Sequence, residues 1–148
     1  MNNNMVDYEG SGALAQAFAQ NSTVELLALS GNYVGTLGAA ALGAAFKENT
    51  GLRSLQLNGN DIGNEGCIKL CEGLAARKDK INNLDLGNNS IGPEAGPALR
   101  DYLKDDDALT HLNLYMNELA NDGCAAVAES PQGNQKLELL DTGGSHTG

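Results

Sequence analysis

The stretch LRSLQLNGNDIGNEG (52–66) contains the pattern on which the whole sequence is built. Apolar and polar residues alternate around Leu55 and Leu57, which predicts a short strand with both leucines pointing inward. The pattern returns without gaps in three other stretches: VELLALSGNYVGTLG (24–38), INNLDLGNNSIGPEA (81–95) and LTHLNLYMNELANDG (109–123). Self-similarity of this length indicates a repeat protein.

One asparagine, here called the anchor, occupies the same place in every repeat. The anchors are Asn4, Asn32, Asn60, Asn89 and Asn117, which lie 28 or 29 residues apart. A further step of 28 from the last anchor reaches Ser145, so both ends belong to the same array. We predict one domain, with full repeats at 24–51, 52–80, 81–108 and 109–136 and partial repeats at 1–23 and 137–148.

The second half of each repeat has the spacing of a helix. Apolar residues stand ten and fourteen positions after the anchor, on one helix face: Leu14 and Phe18, Leu42 and Phe46, Leu70 and Leu74, Leu99 and Leu103. Seven positions after the anchor the residue is always small: Ser11, Ala39, Cys67, Gly96 and Cys124. Because strands stack at about 4.8 Å and helices at about 8–10 Å, the array must curve. The prediction is an α/β solenoid, a horseshoe segment with a parallel sheet on the concave face and helices on the convex face.

Both ends depart from the pattern. Pro131 stands where other repeats have Phe or Leu, so the helix of that repeat should be short or broken. Thr142 and Ser145 replace Leu and Asn in the last partial repeat. At the other end we expect nothing to cover Val6, Leu14 and Phe18, which predicts self-association or stacking of another chain through the terminal repeats.

The motif L-x-x-L-x-L-x-x-N-x-I-G-x-x-G, followed by an Ala- and Leu-rich helix, resembles leucine-rich repeat proteins of the ribonuclease-inhibitor-like type. Ran GTPase-activating proteins and NOD-like receptors are members. The resemblance implies a non-catalytic scaffold that binds a protein partner, with the anchor asparagines as a buried structural ladder. Two alternatives stay open: a structural subunit or fragment docked through its open repeat ends, and a GTPase activator like the Ran activators.

Composition excludes several other classes. The net charge is −10, which disfavours nucleic acid and anionic membrane surfaces as partners. Three cysteines without a Cys-x-x-Cys pair indicate a reducing compartment, and no apolar run is long enough to span a membrane. We expect an intracellular, cytoplasmic protein, with the cytoskeletal or ciliary setting that some relatives have.

No catalytic, metal or cofactor site is predicted. LLDTGGS (139–145) is similar to the active-site loop of a retropepsin-type aspartic protease, but Leu137 and Leu140 are in repeat register and place Asp141 on the concave face. Such an enzyme also needs a second carboxylate and a lobe around each loop. The cysteines lie in helices and His111 in a strand, which gives no metal-ligand set.

The outward-facing positions of the strands are therefore the candidate binding site. We expect Tyr115 and His111 to dominate partner binding, because aromatic groups are enriched in binding hot spots. Asp85, Asn113 and Gln56 would orient the partner by hydrogen bonds. The complete predicted surface is Arg53, Gln56, Asn58, Asn83, Asp85, His111, Asn113 and Tyr115.

Overall fold

The computed structural model describes residues 1–121, 123, 125 and 139–141. The elements alternate along the chain: α1 (Tyr8–Ala19), β1 (Leu26–Ala28), α2 (Gly35–Phe46), β2 (Ser54–Gln56), α3 (Gly63–Ala76), β3 (Asn83–Asp85), a 3-10 turn (Pro93–Ala95), α4 (Gly96–Lys104), β4 (His111–Asn113) and β5 (Leu139–Asp141). The chain is thus an α/β repeat solenoid, as the sequence predicts.

The five strands form one parallel sheet in chain order, β1-β2-β3-β4-β5. Each strand pairs in the register predicted from the anchors, so that Leu27, Leu55, Leu84, Leu112 and Leu140 are successive partners. The interval of 29 residues between Asn60 and Asn89 does not disturb this register. The extra residue lies in the turn after α3, where Arg77 Nε donates to the carbonyl of Asp79.

The core lies between the sheet and the helices and is built almost entirely from aliphatic side chains. The inward leucines of β2 and β3 and the helix residues Leu42, Leu70 and Leu99 are completely buried. α2 and α3 approach at Gly43 and Gly73, where a Cβ on Gly73 would collide with the Gly43 carbonyl. Backbone contact between helices is possible only because both residues lack a side chain.

The N-terminal repeat is better covered than the sequence indicates. Phe18 is only 7% exposed, whereas we expected it to stand open at the end of the array. Val6 and Leu14 are half-buried against the same core. α1 is a complete helix, capped by Asp7, whose carboxylate accepts from Gly10 N at 3.0 Å. This helix packs along α2, so the expectation for Phe18 was wrong.

A second line of buried polar residues closes the turns from helix to strand. Asn49 Nδ2 donates to the carbonyls of Phe18 (2.8 Å) and Asn21 (2.7 Å). Arg77, one repeat further on, donates to Asn49 Oδ1 and to Leu52 O, both at 3.3 Å. These bonds satisfy carbonyl groups at the end of α1 and in the turns that follow the helices.

The same position in the next repeat is Asp106, which is also buried. Its Oδ1 accepts from Ala108 N (2.9 Å) and Leu109 N (2.7 Å). Seventeen positions after Asn32, Asn60 and Asn89, the helix-to-strand turn is thus fastened by a different side chain in each of these three repeats.

Candidate functional site: the concave surface

The anchor asparagines fix the loops at one edge of the sheet. Asn89 is fully buried; its Oδ1 accepts from Asn60 N (2.8 Å) and Ile62 N (3.4 Å), and its Nδ2 donates to Leu57 O (2.8 Å) and Gly87 O (3.0 Å). Three further anchors make similar bonds: Asn32, Asn60 and Asn117. Each amide therefore ties its own repeat to the repeat before it.

Asn4 does not share this environment, so the prediction that it belongs to the buried asparagine ladder was wrong. It is exposed, and its Nδ2 donates to Asn2 O within its own turn. The side chain of Asn60, in contrast, reaches back to Leu29 O of the preceding repeat. Only its backbone takes part, since Asn4 N donates to Asn32 Oδ1 at 3.1 Å.

The rows of outward-facing residues follow directly from the strand register. Ser54, Asn83 and His111 are consecutive partners in one row, and Gln56, Asp85 and Asn113 in the next. All six are half-buried. Arg53 lies just before β2, is exposed, and donates from Nη1 to Lys80 O at 3.4 Å. The sheet thus brings together the predicted residues that lie in strands. The other three, which are Arg53, Asn58 and Tyr115, lie in the loops beside the strands.

At the centre of this surface, polar groups converge over Gly87. Asp85 Oδ1 accepts from Gly87 N (2.9 Å) and from Asn58 Nδ2 (3.4 Å). A Cβ on Gly87 would lie 2.5 Å from Asn58 Nδ2 and 3.3 Å from Asn113 Nδ2. The absence of a side chain at Gly87 therefore lets three polar side chains from adjacent repeats meet, with the Asp85 carboxylate held in place.

His111 is oriented by its neighbour. Its Nδ1 lies 2.9 Å from Thr110 Oγ1, and that hydroxyl donates to Asn82 O at 3.0 Å. Because the hydroxyl proton is used on the carbonyl, Nδ1–H is the donor to Oγ1 in this arrangement. Nε2 is then the ring nitrogen left to form a hydrogen bond with a partner.

Tyr115 and Met116 form the apolar rim of the concave surface. Tyr115 is 46% exposed, and its amide is held by Asn113 Oδ1 at 2.8 Å. Met116 is 51% exposed and has a φ of +57°, a left-handed conformation that costs a side-chain-bearing residue energy. The equivalent positions hold Gly31, Gly59 and Asn88, residue types that tolerate this conformation. Sequence reasoning missed Met116, although its position just before an anchor gave the signal.

The convex layer holds the remaining reactive groups. Cys67 and Cys71 are buried free thiols in α3, and hydrogen bonding to Cys67 together with burial raises the pKa of Cys71. Burial, followed by the negative charge of Asp106, raises the pKa of Tyr102. Neither change favours the anionic form, so these groups are poor nucleophiles. Cys124 lies outside the described residues.

Two well-formed cavities in the described part of the chain lie between helices, away from the concave side. These cavities, of about 370 Å³ and 250 Å³, open between α1 and α2 and between α3 and α4, and both are lined by helix residues. Within the described part of the chain there is no group of three or more His, Cys, Asp or Glu side chains placed to hold a metal ion. The described helices also include none that is long and apolar enough to cross a membrane.

Comparison with known proteins agrees with this architecture. A family model described as "Leucine Rich repeat" matches residues 20–43, 48–71 and 109–128. RAN GTPase-activating protein 2 of Arabidopsis thaliana is 32% identical over 78 residues, which are 52% of this chain and 14% of that protein. The solved structure of the leiomodin-1 actin-binding site 2 superimposes with a TM-score of 0.68 at 20% identity, over 86% of this chain and 76% of that one.

These matches and the repeating strand–helix units define the class of protein. The chain is a leucine-rich repeat protein of the ribonuclease-inhibitor-like type. It spans only 14% of the Arabidopsis relative, and the leiomodin-1 likeness is one of fold. Leucine-rich repeats of this kind are in general protein-binding scaffolds rather than catalysts.

Proposed function

We propose that this chain is a non-catalytic scaffold that binds a protein partner through its concave surface. The observation that supports the proposal is the convergence of Asn58, Asp85 and Asn113 over Gly87, beside the exposed Tyr115. Fixed polar groups next to an exposed aromatic side chain are the usual composition of a protein interface, whereas a small-molecule site is concave at the scale of the ligand and mostly apolar.

The expected division of roles follows from the contacts. Tyr115 and Met116 supply apolar area at the rim, where each is about half exposed. Asp85 has its Oδ1 occupied by intramolecular bonds, so its Oδ2 is the atom that accepts from a partner. His111 Nε2 and the Asn83 and Gln56 amides complete the set of donors and acceptors, and Arg53 adds a positive charge at its margin.

An affinity capture with matched variants tests this proposal. The tagged chain is used to capture proteins from an extract of the native source, in parallel with Asp85→Ala/Tyr115→Ala and with a convex control, Gln16→Ala. We expect a protein captured by the wild type and the control to be reduced at least tenfold with the concave variant. Equal capture by all three, or loss with the control alone, would contradict the concave surface as the site.

A GTPase activator is the second candidate, supported by the 32% identity over 78 residues to RAN GTPase-activating protein 2. Purified Ran with bound GTP, assayed for phosphate release with and without the chain, tests it directly. The scaffold proposal predicts no stimulation. Actin, named in the leiomodin-1 structure, is a second purified probe for binding. The names of both relatives support a cytoplasmic or cytoskeletal location.

Docking of a partner through the N-terminal repeat is a third candidate, since Val6 and Leu14 at the N-terminal end of the core are only half-buried. Sedimentation over a range of concentrations would detect self-association. A Leu14→Ser variant that lowered an observed dimer to monomer would support it.

A further inference from the structure

The loops that lead from the anchors into the helices form a second surface, separate from the concave one. We call it the edge strip and define it as the residues one, four and five positions after each anchor. In chain order the described ones are Met5, Tyr8, Glu9, Tyr33, Thr36, Leu37, Asp61, Asn64, Glu65, Ser90, Pro93, Glu94, Glu118 and Asn121. Hydrogen bonds join successive loops, for example Tyr33 N to Val6 O (2.8 Å) and Asn64 Nδ2 to Glu94 Oε2 (2.9 Å). The strip is therefore continuous across the repeats.

The first two loops of the edge strip hold four exposed apolar or aromatic side chains and one carboxylate, that of Glu9. Met5 is 83% exposed, Leu37 67%, Tyr33 64% and Tyr8 52%. The exposure of Tyr33 and Leu37 does not arise from a missing neighbour, because repeats flank them on both sides. Large apolar side chains left this open on adjacent loops mark an interaction surface rather than ordinary scatter.

The following loops of the same strip are acidic. Asp61, Glu65, Glu94 and Glu118 are all exposed. No lysine or arginine occupies a strip position in the described part of the chain. An apolar half and an anionic half thus follow one another along one edge, which sets the chemistry that a partner must present.

We propose that the edge strip binds a protein segment with apolar or aromatic residues in one half and lysine or arginine residues in the other. Charge complementarity selects this occupant. A second copy of this chain brings its own acidic half and a net charge of −10, and has no basic strip to offer. An anionic membrane surface would be repelled by the same carboxylates.

The dimensions fit a short segment. The four loops from Met5 to Glu94, on which the contacts below depend, are separated by three intervals of about 5–10 Å, because the strip lies between the strand and helix spacings. The resulting length of roughly 15–30 Å corresponds to about five to nine residues of extended peptide. The partner side chains that matter are then two apolar ones near Tyr33 and Leu37 and two cationic ones near Asp61 and Glu94.

A peptide of defined composition tests the proposal on the full chain. The probe is a fluorescein-labelled nine-residue peptide with Leu and Phe in one half and Lys and Arg in the other, made in both orders. The control peptide has the same composition with the two classes alternating. We expect one of the segmented peptides to bind in fluorescence anisotropy at least fivefold more tightly than the alternating one, and to weaken as salt is raised.

Matched variants separate the two halves of the strip and the two surfaces. Tyr33→Ser/Leu37→Ser should raise the Kd of the segmented peptide at least tenfold. Asp61→Asn/Glu65→Gln should raise it about threefold or more and flatten the salt dependence. Asp85→Ala/Tyr115→Ala on the concave surface should leave the Kd within twofold, so that failure of the concave proposal and failure of this one are distinguishable. Circular dichroism melting confirms that each variant is folded.

Several results would overturn the proposal. Equal binding of the alternating peptide, no binding of either segmented peptide, or an unchanged Kd in both strip variants would each do so. A wild-type dimer in sedimentation that Tyr33→Ser/Leu37→Ser dissociates, and that the peptide does not displace, would assign the strip to a second copy instead.

Discussion

Replacement of Asn89 by alanine is the sharpest test of what holds neighbouring repeats together. The side chain of Asn89 is fully buried and makes four hydrogen bonds, to Asn60 N, Ile62 N, Leu57 O and Gly87 O. Alanine removes both the acceptor and the donors. Two amide groups and two carbonyl groups from two repeats then lose these bonds in the interior.

The size of the effect follows from the geometry of these bonds. Three of the four are 2.8–3.0 Å long, and the bond to Ile62 N, at 3.4 Å, is weak. At about 1 kcal/mol for each well-formed bond, the expected loss in the free energy of unfolding is roughly 2–4 kcal/mol. For a chain of this size that corresponds to a fall in Tm of about 5–15 °C.

Denaturant unfolding followed by circular dichroism measures this loss, and Asn4→Ala is the matched control. Asn4 has the same place in its repeat but is exposed, so its variant should lose less than about 0.5 kcal/mol. The reasoning would be refuted if Asn89→Ala were as stable as the wild type, or if the two variants were equally destabilised.

Three further predictions concern the convex layer and the rim. Tyr102→Phe should stay within about 1 kcal/mol of the wild type at neutral pH, because the buried hydroxyl lies close to Asp106 but makes no hydrogen bond of good geometry. Folding raises the pKa of Tyr102, so the neutral phenol stabilises the folded state fully below its usual pKa of about 10, and this stabilisation is lost as the pH rises further. Above pH 10 the free energy of unfolding should therefore fall less in Tyr102→Phe than in the wild type. Met116→Asn should raise the free energy of unfolding by about 0.5–1 kcal/mol by relieving the left-handed strain, and a loss in denaturant unfolding would contradict this. In a Cys124→Ser background, Cys67 and Cys71 should react with a thiol reagent at least about 100-fold more slowly in the folded than in the denatured chain, and equal rates would show that they are accessible.

The repeating part of the fold could be predicted from the sequence, because the same pattern of leucines and an anchor asparagine recurs in each repeat. The register from Leu27 to Leu140 follows from leucine alternation and the anchor spacing, and the structure has that register. The outward rows of the concave surface follow from the same alternation. Convergence over Gly87 could not be predicted, because it depends on three side chains from adjacent repeats reaching one point.

The features that could not be predicted from the sequence depend on contacts between residues of different repeats, which the pattern within one repeat does not show. Arg77 has the residue type of a surface position, yet it is buried, and its guanidinium donates to Asn49 Oδ1 and Leu52 O of the preceding turn. Asn4 fits the anchor pattern, but its side chain is exposed and bonds within its own turn. The apolar half of the edge strip was missed because Tyr33 and Leu37 occupy positions where the repeat imposes no residue type.

Site-specific photo-crosslinking tests the central claim, that the concave surface holds the partner, most directly. Benzoylphenylalanine is placed at Tyr115 on the concave rim, at Tyr33 on the edge strip and at Gln16 on α1, and each chain is irradiated in an extract of the native source. The account predicts that the protein captured by affinity crosslinks at position 115 and not at position 16. A crosslink to that protein from position 16, with none from position 115, would contradict it.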